Sequence, residues 1–351
     1  MEGVNKIAEE LKSIFSDLDY QVEEETSENY GKNLIVRSND QEKPKKILII
    51  GHMDTVFPEG TVKERPFYRE GDYVYGPGAN DMKSGLTAVY WALKAINQQG
   101  LENQLPSITI LLNGDEEVGS PTSRQLIENE AQNADYALVL EPGRSNGEVV
   151  TARKGVGRYT LTCKGKAVHS GVEPEKGISA VIELSDALLE IHQLNDYQKG
   201  TTYNAGTVQG GTAVNVVPEE ASAEIDLRIE TMEEAVKAEA NLEGIASESY
   251  LAGAKRILEG EINRPPMQKT EDIEALYKEA QQVAAELGFE LPETKTGGGS
   301  DASFTAAMGV PTLDGLGPIG GGSHGLNEYS KVSSYIPRIT LLAGLILRLA
   351  Q

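Results

Sequence analysis

A single cysteine, Cys163, stands among 351 residues. A disulfide framework within the chain is therefore excluded, and the reducing cytoplasm is the expected compartment. Basic residues are outnumbered, 32 against 54 acidic ones, which leaves a formal charge of −22. Such a surface repels nucleic acid and anionic membranes, so neither is expected as a partner. No apolar run approaches the length of a membrane span. The opening residues, MEGVNKIAEELKSIF, carry acids where a secretory leader needs a basic region and an unbroken apolar stretch. A soluble protein is the expectation. Aromatic residues make up only 6%, histidines number four, and no internal repeat or low-complexity tract is present. What is present, 39% hydrophobic and 25% charged residues, suits a globular chain, and its length exceeds what one core usually organises.

Val4, Ile7, Leu11, Ile14 and Phe15 fall at helical spacing and predict an amphipathic opening helix. Four short apolar runs follow: Asn33 to Val36, Lys46 to Ile50, Ile108 to Leu112 and Tyr136 to Leu140. Runs apolar on both faces suit central strands covered by helices. Leu86, Val89, Tyr90, Leu93 and Ile96 form a helical stripe between them, so strand, helix and strand alternate as in a mostly parallel α/β sheet. The pattern changes after residue 153. Arg158 to Cys163 and Ala223 to Ile229 alternate in polarity, which predicts strands with one exposed face. Helical stretches lie near Ile178 to Leu194 and Met232 to Tyr250. Paired prolines at Asn263-Arg-Pro-Pro-Met267 suit a domain crossing, after which helices over Ile273 to Leu287 and Tyr335 to Leu349 return to the first style. The expected organisation is a catalytic α/β domain of residues 1–153 and 266–351, with an α+β domain of residues 154–265 inserted in it.

The polar residues sit where chemistry is expected. His52 and Asp54 follow one apolar run, Asp115, Glu116 and Glu117 a second, and Glu141 a third. In open α/β sheets, ligand sites form beyond the carboxyl ends of strands. Asp81 lies in a glycine-rich turn before a helix, and His324 in another loop without apolar periodicity. Carboxylates gathered at one edge repel one another unless cations intervene. Zinc takes imidazole nitrogen and carboxylate oxygen, and cobalt and manganese suit the same ligands. Two such ions about 4 Å apart can activate water and polarise a carbonyl.

Gly51-His-Met-Asp-Thr-Val, Tyr75-Gly-Pro-Gly-Ala-Asn-Asp-Met-Lys-Ser-Gly, Asn113-Gly-Asp-Glu-Glu-Val-Gly-Ser, Gly298-Gly-Ser-Asp and the late His324 occur in the order of the M20 metallopeptidase family. Across nearly its whole length the chain resembles that family, and within it the glutamate carboxypeptidase type. The resemblance implies a zinc-exopeptidase-like catalytic domain and an inserted lid or dimerisation domain, which makes a homodimer the expected assembly. It implies two zinc ions, one on His52 and one on His324, with Asp81 bridging and Glu117 and Glu141 completing the set. Asp54 would orient His52, and Glu116 would be the general base. The peptide after Asp81 is implied to be cis. In the segment Lys164-Gly-Lys-Ala-Val-His-Ser-Gly, His169 would reach a partner subunit's reaction centre and stabilise the oxyanion. Asn215 and Arg228 would hold a substrate carboxylate, and Gly298 and Gly299 would line the substrate site.

Each of these residues has a plainer reading. Glu116-Glu117 alone is an acidic turn, Arg228 the outer face of a strand, and a lone histidine most often a surface or packing residue. His192, at the end of a helical stretch, keeps that plain reading, and Cys163, on an alternating strand, reads as packing. The two Gly-Gly-Gly-Ser stretches lack the Gly-Lys ending of a phosphate loop, so nucleotide binding is not expected. The expected activity is hydrolysis of an amide bond next to a free carboxylate in a small peptide or N-acyl amino acid. An N-acyl amino acid deacylase of acetylornithine or succinyl-diaminopimelate type, or a tripeptidase, would share the same ligands. A non-catalytic metal-binding dimer would require damage in the reacting set, and none is visible.

Overall fold

The computed structural model describes residues 1–351, which divide into two compact units. The first comprises Met1–Ala152, Lys269–Thr296 and Ser300–Gln351; the second comprises Arg153–Gln268 with Gly297–Gly299.

The first unit is built on a six-stranded sheet. Its strands run in the order Gln21–Ser27, Gly31–Arg37, Ser107–Asn113, Lys46–His52, Tyr136–Val139 and Thr312–Leu313. The first two strands pair antiparallel with each other, and Gly31–Arg37 is antiparallel to Ser107–Asn113. The remaining pairings are parallel. The strands with near-continuous apolar sequence are the buried central ones, as two-sided coverage requires. Ile47, Ile49, Ile108, Ile110, Leu112 and Leu138 pack in one core with Phe15 of helix Glu2–Ser16, Leu93 of helix Lys83–Gln98 and Leu345 of helix Tyr335–Leu349. By length and apolar content the segment Val332–Leu349 matches a membrane-spanning helix, contrary to the reading from sequence. Its Leu341, Leu342, Leu345 and Ile346 are fully buried in this core, which accounts for the apolar run without a bilayer. A second, five-stranded sheet joins Tyr68–Glu70, Tyr73–Tyr75, Tyr329–Lys331, Gly317–Gly321 and Pro142–Gly143. Its strands are two to five residues long and partly glycine, too short to show a period.

The second unit is a four-stranded antiparallel sheet, in the order Thr202–Gly210, Glu220–Ile229, Gly155–Lys164 and Lys255–Arg264, with helices Ala180–Gln193 and Met232–Ser247. The alternating strands turn Leu161, Cys163, Ala223, Ile225 and Leu227 into its core. Burial pushes the Cys163 thiol up to about 11, the behaviour of a packing residue rather than a nucleophile. His192 is exposed.

The boundaries differ from those expected by a few residues, and one loop changes sides. Arg153 and Met267 exchange backbone hydrogen bonds at 3.0 Å, so Arg153 and Pro266–Gln268 go with the second unit. Gly298 and Gly299, expected in the catalytic domain, also go there. Arg153 Nη1 donates to their carbonyls at 3.0 and 3.2 Å, and Arg228 Nη1 donates to that of Gly297 at 3.2 Å.

An ion cluster ties this unit together. Arg256 donates to Glu183 at 2.7 Å, to Asp186 at 2.7 Å and to Glu190 at 3.1 Å. Glu183, completely buried, also accepts the N–H groups of Tyr250 and Leu251 at 2.9 and 2.8 Å. Removing one partner leaves the other charge buried and uncompensated. Arg256→Ala is therefore expected to lower unfolding free energy by about 3–5 kcal/mol. Chemical denaturation checks this, and a loss like that of an exposed ion pair would contradict it.

Candidate metal centre

Register brings the ligands together. Strand Lys46–His52 lies between two parallel neighbours, with His52 opposite Asn113 on one side and Ile50 opposite Val139 on the other. Three adjacent strands thus end at the same edge. The next residues of each, Asp54, Glu116 and Glu117, and Glu141, emerge side by side. Asp81 arrives from the turn that precedes helix Lys83–Gln98, and the Asp81–Met82 peptide is cis. His324 arrives from the loop after strand Gly317–Gly321, at φ +65°.

Two groups of donor atoms result, each with its atoms within 4.8 Å of one another: His52, Asp81 and Glu141, and Asp81, Glu117 and His324. Asp81 belongs to both. Its Oδ1 lies 3.1 Å from His52 Nε2, and its Oδ2 lies 3.4 Å from His324 Nε2. His52 Nε2 is 3.7 Å from Glu141, and His324 Nε2 is 3.3 Å from Glu117. On the other side of the first imidazole, His52 Nδ1 is 3.3 Å from Asp54 Oδ1 and 3.2 Å from the Asp54 carbonyl. Asp54 in turn accepts the backbone N–H groups of Glu116 and Glu117 at 3.3 and 3.0 Å. One carboxylate thereby orients the imidazole and the start of the acidic turn together.

The electrostatics of the cluster favour cations. Burial, with the charges of Asp81 and Glu116 adding to it, pushes Glu117 up to about 7 against the opposing effect of the two imidazoles. Burial, followed by the charge of Asp81, holds Glu141 well above the ordinary carboxylate range. Burial opposes protonation of His52, but hydrogen bonds to Asp54 and Asp81 outweigh it and raise the imidazole. The hydrogen bond to Asp81 raises His324 to about 9. Burial works against the Asp81 carboxylate, yet the hydrogen bonds from both imidazoles hold it below its usual value. Three carboxylates and two imidazoles, with no lysine or arginine paired to them, compete for protons that divalent cations would displace. Mixed imidazole and carboxylate donors fit zinc, cobalt or manganese.

Asp115, which follows the same strand, does not join the cluster. It is fully buried and accepts from Thr122 N and Oγ1 at 2.7 Å and from Ser123 Oγ at 2.5 Å, closing the turn that presents Glu116 and Glu117. Asp301 braces the same turn from behind, accepting from Asn113 at 2.6 Å and Ser120 at 2.5 Å.

The remaining sequence-predicted residues lie in the second unit. His169 is exposed, its Nδ1 accepting the Gly171 N–H at 3.1 Å. The next residue, Ser170, donates its N–H to the Asn215 carbonyl at 3.0 Å, so His169 and Asn215 sit on adjoining backbone. Arg228 is already engaged: Nε and Nη2 fork onto Asp226 at 2.7 and 2.9 Å. A substrate carboxylate there would share or replace Asp226.

An α/β unit that gathers two imidazoles and two glutamates around one shared aspartate at the edge of its sheet is a metal-dependent hydrolase centre. The chain belongs to Peptidase family M20/M25/M40, whose sequence profile matches residues 48–348, and is a hydrolase of the metallopeptidase class. It is 34% identical over 308 residues to carboxypeptidase G2 of Pseudomonas sp. (strain RS-16), covering 87% of this chain and 74% of that protein. A Staphylococcus aureus tripeptidase structure superposes with a TM-score of 0.81 at 26% identity, over 98% of this chain and 92% of that one. A Bacillus subtilis protein described as a dinuclear metal-binding peptidase of family M20 shares the fold, with a TM-score of 0.68 at 16% identity over 98% and 91% of the two chains.

Proposed function

We propose that the protein is a two-zinc exopeptidase of the cytoplasm that cleaves an amide bond next to a free C-terminal carboxylate, as a glutamate carboxypeptidase does. The observation that carries this reading is Asp81, with one oxygen toward each imidazole. His52, Asp81 and Glu141 would hold one ion, and Asp81, Glu117 and His324 the other. Bound there, the ions supply Lewis acidity toward a carbonyl oxygen and acidify a water.

The chain's own groups do the rest. Glu116 belongs to neither donor group, yet its charge is felt at His52, Glu117, Glu141 and His324. It takes a proton from the attacking water and returns it to the leaving nitrogen. Asp54 holds the Nδ1 side of the His52 ring, which leaves Nε2 as the nitrogen that would ligate a cation. Of the second unit, His169 donates to the oxyanion from a partner subunit of a homodimer, while Asn215 and Arg228 hold the free carboxylate beside Gly298 and Gly299. The similarity to carboxypeptidase G2 supports the substrate class.

A panel run on zinc-reconstituted protein tests it. Hydrolysis of N-acyl glutamates and C-terminal glutamyl dipeptides is expected to outpace that of acetyl- and succinyl-amino acids. The reverse order would move the assignment to a deacylase. For the partner role, His169→Ala subunits mixed with His52→Ala subunits are expected to regain activity that neither has alone. A mixture as inactive as its components would remove His169 from the partner's reaction.

A further inference from the structure

We propose that Glu328 is a positioning residue for the cation pair: its carboxylate locks the loop that carries Asp81 to the loop that carries His324, and so sets the affinity of the Asp81–Glu117–His324 group. The inference rests on the two-cation reading above. Glu328 is completely buried and belongs to neither donor group. Its Oε1 accepts the Asn80 N–H at 2.8 Å and the Asp81 N–H at 2.9 Å; its Oε2 accepts the Gly78 N–H at 2.9 Å. These three donors belong to a turn without helix or strand of its own, and apart from the approach of the Asp81 carboxylate to the two imidazoles one further side-chain bond ties the turn to a distant segment. That bond is Asn80 Nδ2 to Ser323 Oγ at 3.0 Å. Both ties therefore end on the segment that bears His324.

The glycines of that segment have the room the clamp needs. A Cβ at Gly320 would lie 2.0 Å from Asn80 Oδ1, and Gly322 sits at φ +69°, where a side chain is strained. The polypeptide is small on this side because the Asp81 turn packs directly against it.

Carboxylate chemistry is what the position requires. Two anionic oxygens satisfy three N–H groups, whereas a glutamine offers one oxygen and turns an NH₂ toward another donor. With one backbone N–H unmet, the turn relaxes and Asp81 Oδ2 moves relative to His324 Nε2. The His52–Asp81–Glu141 group feels that change only through the shared Asp81, its other two donors being held elsewhere. His52 ends the Lys46–His52 strand, and Glu141 lies two residues past the Tyr136–Val139 strand, outside both clamped loops.

The experiment strips the full-length protein of metal and titrates zinc back against a chromophoric chelator, for the parent and Glu328→Gln together, with thermal unfolding of the stripped forms alongside. The parent is expected to take up two zinc ions. In Glu328→Gln one equivalent weakens by about 10–100-fold, the usual cost of losing a group that orients a ligand, and the other, which shares only Asp81 with the clamped loops, weakens less. Glu328→Asp, which retains both oxygens on a shorter stem, recovers part of the loss. A purely structural residue would lower the unfolding midpoint of the stripped protein and leave both zinc affinities at parental values, and that outcome overturns the inference. If Glu328→Gln does not fold, the same titration of Glu328→Asp decides, with two parental affinities again overturning it. A parent that binds no zinc overturns the two-cation reading itself, which separates that failure from the failure of Glu328 alone.

Discussion

Glu116→Gln is expected to lower kcat/KM on a C-terminal glutamyl substrate by about 10²–10⁴-fold, the range that a positioned general base contributes, while both cations remain bound. The substitution is nearly isosteric. The Glu116 N–H that anchors the turn on Asp54 is backbone and survives it, and neither donor group contains the side chain. What is lost is a carboxylate able to accept a proton. Elemental analysis of the variant and steady-state kinetics check the two halves separately. An unchanged kcat/KM would take the base role from Glu116, and loss of a cation would move it into the ligand set.

Removal of the cations is expected to abolish turnover and to leave a protein whose stability falls as pH rises from 6 to 9. The sign follows from four groups. Glu117 is raised to about 7 from a reference of 4.5, and Glu141 is raised well above the same reference. His52 is raised from 6.5, and His324 from 6.5 to about 9. A group whose pKa is higher when folded binds its proton more tightly in the native state. Its contribution to stability is complete below the unfolded pKa and is lost as pH climbs through the folded one. Between pH 6 and 9 all four act in the same direction. Asp81, lowered instead, is ionised throughout that window in both states and adds no slope. Cations take the place of those protons, so the rise in unfolding midpoint on adding zinc is expected to be larger at pH 9 than at pH 6. Comparing midpoints with and without cation at each pH cancels the titration of remote groups. An equal rise at both pH values would mean that the cluster does not hold the ions.

Asp81 and His324, both in loops, were legible only through the order of the family's motifs; the donors legible from pattern alone are those bound to regular elements. His52, Glu117 and Glu141 follow apolar runs long enough to read as strands, and the parallel pairing of those strands converts position along the chain into position in space. The alternating runs Arg158 to Cys163 and Ala223 to Ile229 likewise announced a second sheet with one covered face. Glu328 was not legible. It lies in an irregular loop, its partners are backbone N–H groups 247 to 250 residues away, and a carboxylate that binds backbone imposes no side-chain pattern on its partner. The one available signal was an acidic residue four positions behind His324. The side changed by Gly297–Gly299 was hidden for a related reason: the guanidinium groups of Arg153 and Arg228 reach carbonyls, and every residue has a carbonyl. Asp115 misled in the opposite direction, since its place beside Glu116 and Glu117 carries no sign that it faces Thr122 and Ser123.

The interrupted path of the first unit has a consequence for biosynthesis. The chain leaves that unit after Ala152 and re-enters at Lys269, so four of the five donors emerge from the ribosome before the inserted unit is made, and His324 only afterwards. The inserted unit's own four strands lie within one continuous stretch and can pair while the rest is still being translated. The other unit must wait: neither its last parallel strand, Thr312–Leu313, nor the Glu328 carboxylate exists yet. A nascent chain halted before residue 312 would thus carry an unfinished sheet and an incomplete donor set, and the five donors come together only in the final steps of maturation.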